Sequence, residues 1–139
     1  MAKRGYRVIV VGIGMVGSKM VETLLERKKL PIKEIKILAT RERDEKVAGR
    51  VFRVKKSDPR EFDGFDFAFF AGTEGASGAS KVFGWEAVKR GCVVIDNGKD
   101  YRMDKNVPLV IPEINADALR KHEGFIANPN CSTIIALMP

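Results

Sequence analysis

The sequence predicts an α/β domain with an open, doubly wound, mostly parallel sheet and helices on both of its faces. Three observations lead to this fold class. Strand-like runs alternate with segments of helical spacing. The strand-like runs are continuously apolar, as in strands that are buried on both faces. A glycine-rich loop follows the first of these runs, at residues 12–17.

Each predicted element follows from local periodicity and from the residues that bound it. Strands are predicted at 6–11, 35–39, 51–54, 65–70, 92–96 and 125–127, with 109–111 as a short strand or extended segment. Helices are predicted at 16–27, 79–90 and 116–121, and a last one begins near Ser132. Because this last helix is apolar on nearly every face, we expect it to be buried.

The length of 139 residues corresponds to one domain with its own core. The last helix stops after about two turns, without a closing glycine or basic residues. We therefore expect residues 1–139 to be one domain of a longer polypeptide.

Composition argues against several other classes of protein. The net charge is +7, but the basic residues are scattered and no nucleic-acid-binding motif accompanies them. No apolar run is long enough to span a membrane, and glycines interrupt the run that follows the basic amino terminus. We expect a cytoplasmic protein that binds neither nucleic acid nor membranes.

The two cysteines do not form a pattern typical of disulfide frameworks or metal sites. Cys92 begins an apolar strand, so we expect an inert, buried thiol. His122 is the single histidine and lies among charged residues, where we expect it to be exposed.

The glycine-rich loop has the spacing of a Rossmann-like dinucleotide-binding loop, between a strand and a helix. Gly12 permits a tight turn, Gly14 allows a pyrophosphate to approach the backbone, and Gly17 allows close packing of helix and strand. Met15 and Val16 lie where the loop passes into the helix, whose free N–H groups favour a phosphate. We expect these five residues to bind the cofactor.

The end of the second strand indicates which dinucleotide is bound. Thr40, Arg41 and Arg43 stand where an acidic residue would bind the ribose of NAD. Arginines there can instead pair with a 2′-phosphate. The sequence therefore favours NADP, while Glu42 leaves NAD open.

Cys131 lies between the last strand and the last helix, at the edge of the sheet where ligands bind in open α/β folds. The first turn of a helix stabilises a thiolate, as a nucleophile requires. Two interpretations remain open from spacing alone: a catalytic cysteine, or a nucleotide-binding module in which Cys131 packs the start of a helix.

Three motifs resemble those of aspartate-semialdehyde dehydrogenases, in the family's order and spacing. They are the segment 128–133 (NPNCST), the segment 107–115 (VPLVIPEIN), and Asp96-Asn97 followed by Arg102-Met103-Asp104. The sister reductase that acts on N-acetylglutamyl phosphate is an alternative, but it usually has Gly and Tyr beside its cysteine. Asn130 and Ser132 argue against that alternative.

The resemblance implies an enzyme of amino-acid biosynthesis that reduces aspartyl phosphate to aspartate semialdehyde with NADPH, releasing phosphate. It implies that Cys131 forms a thioester, that Asn130 positions the substrate or oxyanion, and that Arg102 holds the substrate phosphate. Gly72 and Thr73 would border the cofactor. The resemblance implies that the acid–base histidine, a substrate-carboxylate arginine and most of a homo-oligomer interface belong to a second domain, which we expect downstream of these 139 residues.

The chain departs from the family pattern at two places. Its first loop is one residue shorter than the usual G-x-T-G-x-x-G, and Gly98-Lys99-Asp100 replaces two serines and an alanine. Lys99 could bind substrate phosphate or could be a solvated loop residue. The resemblance also implies that residues 1–139 alone are inactive.

Overall fold

The computed structural model describes residues 5–75 and 77–138. Their strands form one sheet in the order β3-β4-β2-β1-β5-β6-β7. The strands are β1 (Tyr6–Val11), β2 (Ile32–Ala39), β3 (Arg43–Val47), β4 (Arg50–Lys56), β5 (Phe67–Phe70), β6 (Val93–Asp96) and β7 (Phe125–Ala127). Neighbouring strands are parallel except for β3 and β4, which pair antiparallel. The predicted α/β class with a mostly parallel sheet is confirmed.

The helices connect the strands over the two faces of the sheet. They are α1 (Met15–Glu26), α2 (Ala79–Lys89), α3 (Pro112–Asn115) and α4 (Cys131–Leu137). Two 3₁₀ turns cover Pro59–Phe62 and Ala116–Lys121, so the helix predicted at 116–121 has the tighter 3₁₀ form. Among the described residues, no helix has the length and hydropathy needed to cross a membrane.

The core lies in two layers, one on each face of the sheet. Because successive side chains of a strand point to opposite faces, Val10 faces α1 while Ile9 and Val11 face α2. The α1 layer adds buried Val21, Ile37 and Val54. The α2 layer is richer in aromatic residues: Phe62, Phe70, Tyr101 and Phe125, with Trp85 packed against them.

The position of β1 in the middle of the sheet determines where a ligand can bind. The chain runs from β1 outward to β2, and later places β5 on the other side of β1. Such a reversal opens a crevice at the carboxyl ends of the central strands. Gly12 follows β1 directly, so the glycine-rich loop lies at this crevice.

The β3–β4 hairpin differs from the prediction. No element was predicted at residues 43–47, but they form an edge strand joined to β4 by a tight turn at Ala48-Gly49, both with positive φ. Four of the five residues of β3 are charged, which is typical of an edge strand that must not pair with another chain. The antiparallel pairing aligns Asp44 with Arg53, whose charged groups lie 3.3 Å apart.

Three expectations about burial are corrected. The α1 face of β5 and β6 is incompletely covered, since Phe69 and Ile95 are only half-buried. Helix α4 was expected to be buried, but Ile135 is 79% exposed and Leu137 74% exposed, because the elements of this chain do not pack over them. His122 is half-buried rather than exposed, and its Nδ1 accepts a hydrogen bond from the Gly124 N–H at 3.0 Å.

Cys92 lies in the core, as predicted. Its Sγ donates towards the carbonyl oxygens of Phe65 at 3.3 Å and Phe62 at 3.6 Å. Burial raises the pKa of this thiol from 9.0 to about 11, and the carboxylates of Asp66 and Asp63 add to the rise. The thiol is therefore neutral and inaccessible at physiological pH.

This raised pKa predicts that stability falls between about pH 9 and pH 11. In that range the unfolded thiol loses its proton while the folded thiol keeps it, so ionisation favours the unfolded state by up to about 2 to 3 kcal/mol. Chemical denaturation followed by circular dichroism should show a steeper alkaline loss in the wild type than in Cys92→Ala. Cys131→Ala, at an exposed position, should behave as the wild type; equal slopes for all three proteins would contradict the prediction.

Candidate functional site

A cavity of about 670 Å³ opens at the carboxyl ends of β1, β2, β4 and β5. Its floor is the glycine-rich loop after β1. One wall comes from the ends of β2 and β4, and the other from the loop after β5 and the start of α2. Of the predicted cofactor-binding residues, the cavity is lined by Gly12, Gly14, Thr40, Arg43, Gly72 and Thr73.

The glycine-rich loop closes tightly beneath this cavity. Gly12 has a φ of +94°, and a side chain there would meet the backbone of Gly72 at 2.7 Å. Gly17 is buried, and a Cβ at this position would lie only 1.8 Å from the carbonyl oxygen of Gly12. Gly17 therefore brings α1 against β1 and does not line the cavity.

Gly14 is the N-cap of α1 and is exposed to the cavity. No side chain caps the helix there, and a Cβ on Gly14 would have no atom within 4 Å. The first N–H groups of a twelve-residue helix are thus left for a ligand, in an open space that suits a pyrophosphate. The residues present fit a dinucleotide cofactor.

The wall formed by the ends of β2 and β4, called the outer wall below, contains part of the predicted 2′-phosphate site. Thr40 and Arg43 line the cavity, and the Nε of Arg43 donates to Glu45 at 2.8 Å. Arg41 is exposed and does not line the cavity; its carbonyl oxygen lies 3.5 Å from Nη1 of Arg43. Glu42 lies 3.5 Å from the guanidinium of Arg53 and is likewise absent from the wall.

Sequence analysis missed Lys56 and Ser57, which complete this wall. The Ser57 N–H and hydroxyl both donate to the carbonyl oxygen of Ala39, at 2.8 and 3.2 Å. Lys56 is the last residue of β4 and Ser57 follows it. Because β4 pairs parallel with β2, both residues reach the carboxyl-end edge of the sheet, the ligand edge, beside Thr40. Recognising β4 as a parallel neighbour of β2 would have been enough to find them.

Met15 and Val16 lie next to the cavity and line a separate apolar groove of about 550 Å³ between α1 and the uncovered face of β5 and β6. Met15 is 91% exposed. Asn97 and Asn128, which follow β6 and β7, line the same groove, and the Nδ2 of Asn128 donates to Oδ1 of Asn97 at 3.0 Å.

Arg102 joins the loops that follow β6 and β7. Its Nε donates to the carbonyl oxygen of Asn128 at 2.9 Å, and its Nη2 donates to that of Asn97 at 3.0 Å. One guanidinium nitrogen therefore holds the backbone three residues before Cys131, and the other holds the loop after β6. The predicted substrate-binding arginine and the predicted nucleophile share one edge of the sheet.

Lys99 and Asp100 connect the loop after β6 to the loop after β5. The Lys99 N–H donates to Glu74 at 3.1 Å, and its ammonium lies 3.6 Å from the same carboxylate. Asp100 accepts a hydrogen bond from the Gly75 N–H at 2.9 Å. Lys99 would have to leave Glu74 in order to bind a substrate phosphate.

Asp96, the last residue of β6, is 1% exposed. Burial raises the pKa of its carboxyl group, while the Gly98 N–H, which donates to Oδ1 at 2.9 Å, and the nearby Ser80 hydroxyl act in the opposite direction. Among the described residues, Oδ2 has no hydrogen-bond partner. The Oδ1 contact fixes the turn that carries Lys99.

Asn130 and Cys131 begin α4. The Oδ1 of Asn130 accepts hydrogen bonds from the N–H of Thr133 at 3.0 Å and from its hydroxyl at 3.3 Å, so this side chain caps the helix. Cys131 is the first residue of α4, is exposed, and does not line the 670 Å³ cavity. Its position at the ligand edge agrees with the predicted location, and its role stays a prediction.

Comparison with known proteins identifies the family. Residues 7–122 match the family described as semialdehyde dehydrogenase, NAD binding domain. The chain belongs to this family. The matched residues include the glycine-rich loop, both walls of the cavity and Arg102, while Cys131 lies beyond them.

Relatives extend the similarity over nearly the whole chain. The aspartate-semialdehyde dehydrogenase of Bacillus subtilis is 42% identical over 135 residues, which cover 94% of this chain and 38% of that protein. The Aquifex aeolicus enzyme is 39% identical, covering 97% of this chain and 42% of its own length. The chain thus spans about two fifths of these relatives and corresponds to their N-terminal NAD(P)-binding part.

Solved structures agree on the fold. Aspartate semialdehyde dehydrogenase II of Vibrio cholerae, complexed with ASA, superposes with a TM-score of 0.82 at 34% identity, covering 96% of this chain and 44% of that one. The Candida albicans enzyme with NADP superposes with a TM-score of 0.64 at 20% identity, which shows the fold alone. The predicted resemblance to the NAD(P)-binding part of aspartate-semialdehyde dehydrogenases is confirmed.

For two of the three loop glycines, Gly14 and Gly17, the structure predicts different consequences of the same substitution. Gly17→Ala places a methyl group against the Gly12 carbonyl oxygen, so the free energy of unfolding should fall by about 3 kcal/mol or more. Gly14→Ala meets open space, so stability should change by less than about 1 kcal/mol. The added methyl group stands where the pyrophosphate approaches, so NADP affinity should fall about tenfold.

Thermal unfolding and calorimetric titration of both variants measure these effects. Gly14→Ala is the matched control for stability, because the same substitution is expected to destabilise the fold only at Gly17. A stable Gly17→Ala protein, or a Gly14→Ala protein with unchanged NADP affinity, would refute the corresponding half of the prediction.

Proposed function

We propose that this chain is the cofactor-binding part of an NADP-dependent aspartate-semialdehyde dehydrogenase, with Cys131 as its nucleophile. A single observation supports this most strongly. The cavity, whose residues suit a dinucleotide, and the Asn130-Cys131 segment lie at the same edge of one sheet. Arg102 forms hydrogen bonds to the loops after β6 and β7, which are the two loops nearest that segment. A binding module without chemistry has no need of an exposed cysteine at this edge.

The residues of the cavity would bind the cofactor by its phosphates. The N–H groups at the start of α1 would donate to the pyrophosphate, and Gly14 would leave room for it. Thr40 and Arg43 would hold the adenosine end, and Gly72 and Thr73 would border it from the other wall. When bound, the reduced nicotinamide supplies a hydride.

Cys131 would carry the substrate through the reaction. Its sulfur attacks the carbonyl carbon of the acyl phosphate, and phosphate leaves with the electrons of the broken C–O bond. The product of this step is a thioester on Cys131. Once the thioester carbon has received a hydride, the Cys131 sulfur would leave with the electrons of the C–S bond, which would release the aldehyde and regenerate the thiolate.

Arg102 and Asn130 would position the substrate around this sulfur. A guanidinium already oriented by two backbone carbonyl oxygens is restrained before a phosphate arrives, which lowers the entropy cost of binding it. Asn130 uses its carbonyl oxygen to cap α4, and its amide nitrogen would face the substrate as a donor. Lys99 would add a cation once it leaves Glu74.

Replacing the two cysteines one at a time tests the proposed nucleophile. In the full-length protein, Cys131→Ser should reduce turnover of aspartate semialdehyde, phosphate and NADP by about a thousandfold or more, since thioester formation is lost. Cys92→Ser is the control because its sulfur is buried away from the ligand edge. Retention of activity in Cys131→Ser, with the fold verified by circular dichroism, would exclude Cys131 as the nucleophile.

The 139-residue chain by itself should bind NADP without catalysing the reaction. The cavity walls come from this chain, whereas the acid–base histidine and a substrate-carboxylate arginine are expected from a second domain. Isothermal titration measures binding, and NADPH absorbance measures turnover. Robust turnover by the isolated chain would contradict the need for a second domain, and failure to bind either dinucleotide would contradict the cofactor site.

A further inference from the structure

The end of β4 is held rigidly beside the end of β2. Ala39 and Lys56 are paired in the parallel register, and Ser57 donates twice to the Ala39 carbonyl oxygen. Backbone hydrogen bonds therefore fix Lys56 next to Thr40 on the outer wall of the cavity. The neighbouring Lys55 points to the opposite face of the strand, where its ammonium lies 3.5 Å from Glu61.

The outer wall has positive charge and hydroxyl groups but no acidic side chain. None of the described residues that line the cavity is Asp or Glu. The nearby carboxylate of Glu42 pairs with Arg53, whose position on β4 gives it the face opposite to Lys56. The wall therefore lacks the carboxylate that would hydrogen-bond a free ribose 2′-hydroxyl.

The two cations of the wall differ in how far their charge is already compensated. Arg43 donates to Glu45 at 2.8 Å, so part of its attraction for an anion is offset. Lys56 has no ion pair among the residues the structure describes. A compact ammonium on a flexible stem, with no carboxylate partner, gives the cavity an available positive charge for a phosphate.

We propose that Lys56 is the residue that selects a 2′-phosphorylated dinucleotide over its unphosphorylated counterpart, with Thr40 supplying a hydroxyl donor to the same phosphate. This assignment rests on the proposed function, because it needs the cavity to bind the adenosine end of the cofactor. It concerns only the preference between two cofactors and not the reaction. The β3–β4 hairpin, which the sequence pattern did not reveal, is what delivers this lysine to the cavity.

A matched pair of variants tests the assignment. Calorimetric titration of the 139-residue chain with NADP and with NAD should show that Lys56→Met weakens NADP binding about tenfold and NAD binding less than twofold. Lys55→Met removes the same charge from the adjacent residue on the other face, and it should leave both affinities unchanged. Added NaCl should weaken NADP binding more in the wild type than in Lys56→Met, because one ion pair has been removed.

The possible outcomes separate this assignment from the proposed function. If the wild type binds NADP and Lys56→Met keeps the same ratio of NADP to NAD affinity, Lys56 is not the selecting residue and the cofactor site still stands. Equal loss of both affinities would also overturn the assignment. If the wild type binds neither dinucleotide, the cofactor site itself is overturned and this assignment with it.

Discussion

The architecture of the site depends on one close contact, between the first turn of α1 and the carbonyl oxygen of Gly12. A side chain on Gly17 could not fit there, since its Cβ would lie 1.8 Å from that oxygen. The same loop is joined to β2, because the Gly12 N–H donates to the carbonyl oxygen of Leu38 at 2.8 Å. Strand, loop and helix therefore form one rigid unit. As a result, the uncapped start of α1 is held at the point where the strand order reverses, and the cavity forms around it.

A second constraint organises the other half of the ligand edge. A single guanidinium, that of Arg102, bonds to carbonyl oxygens in the loops after β6 and β7. The side-chain bond from Asn128 to Asn97 and the bond from the Asn128 N–H to the Asp96 carbonyl oxygen join the same two loops. Buried Asp96 reinforces the first of these loops through Gly98. The segment leading to Cys131 thus has a defined position even though the cysteine itself is exposed.

The parts of the fold that the sequence predicted are those determined by neighbours along the chain. The unit of β1, loop and α1 combines a buried strand, a glycine spacing and a helical period, all within residues 6–26. The edge strand β3 was missed because its charged residues have no apolar alternation, and only pairing with β4 makes them a strand. Lys56 was missed for the same reason, since its place at the cavity depends on β4 lying parallel to β2. The exposure of α4 escaped prediction because an apolar sequence indicates what a helix tends to bury, and not whether a partner surface lies within the same chain.

The ligand edge divides into two regions that differ in how much of their structure this chain provides. The cofactor region has a floor and two walls, whose glycines and strand ends are fixed by backbone hydrogen bonds. In the cysteine region the backbone is fixed as far as Asn128, and beyond it Asn130 caps a short helix that remains exposed. Binding and chemistry should therefore be separable. Affinity for a dinucleotide would depend on contacts already present in the cavity. Hydride transfer in the proposed reaction would depend on how closely the thioester carbon on Cys131 is held to the nicotinamide. A substitution in the cavity then acts first on cofactor affinity, and one at the cysteine acts on turnover with little change in that affinity.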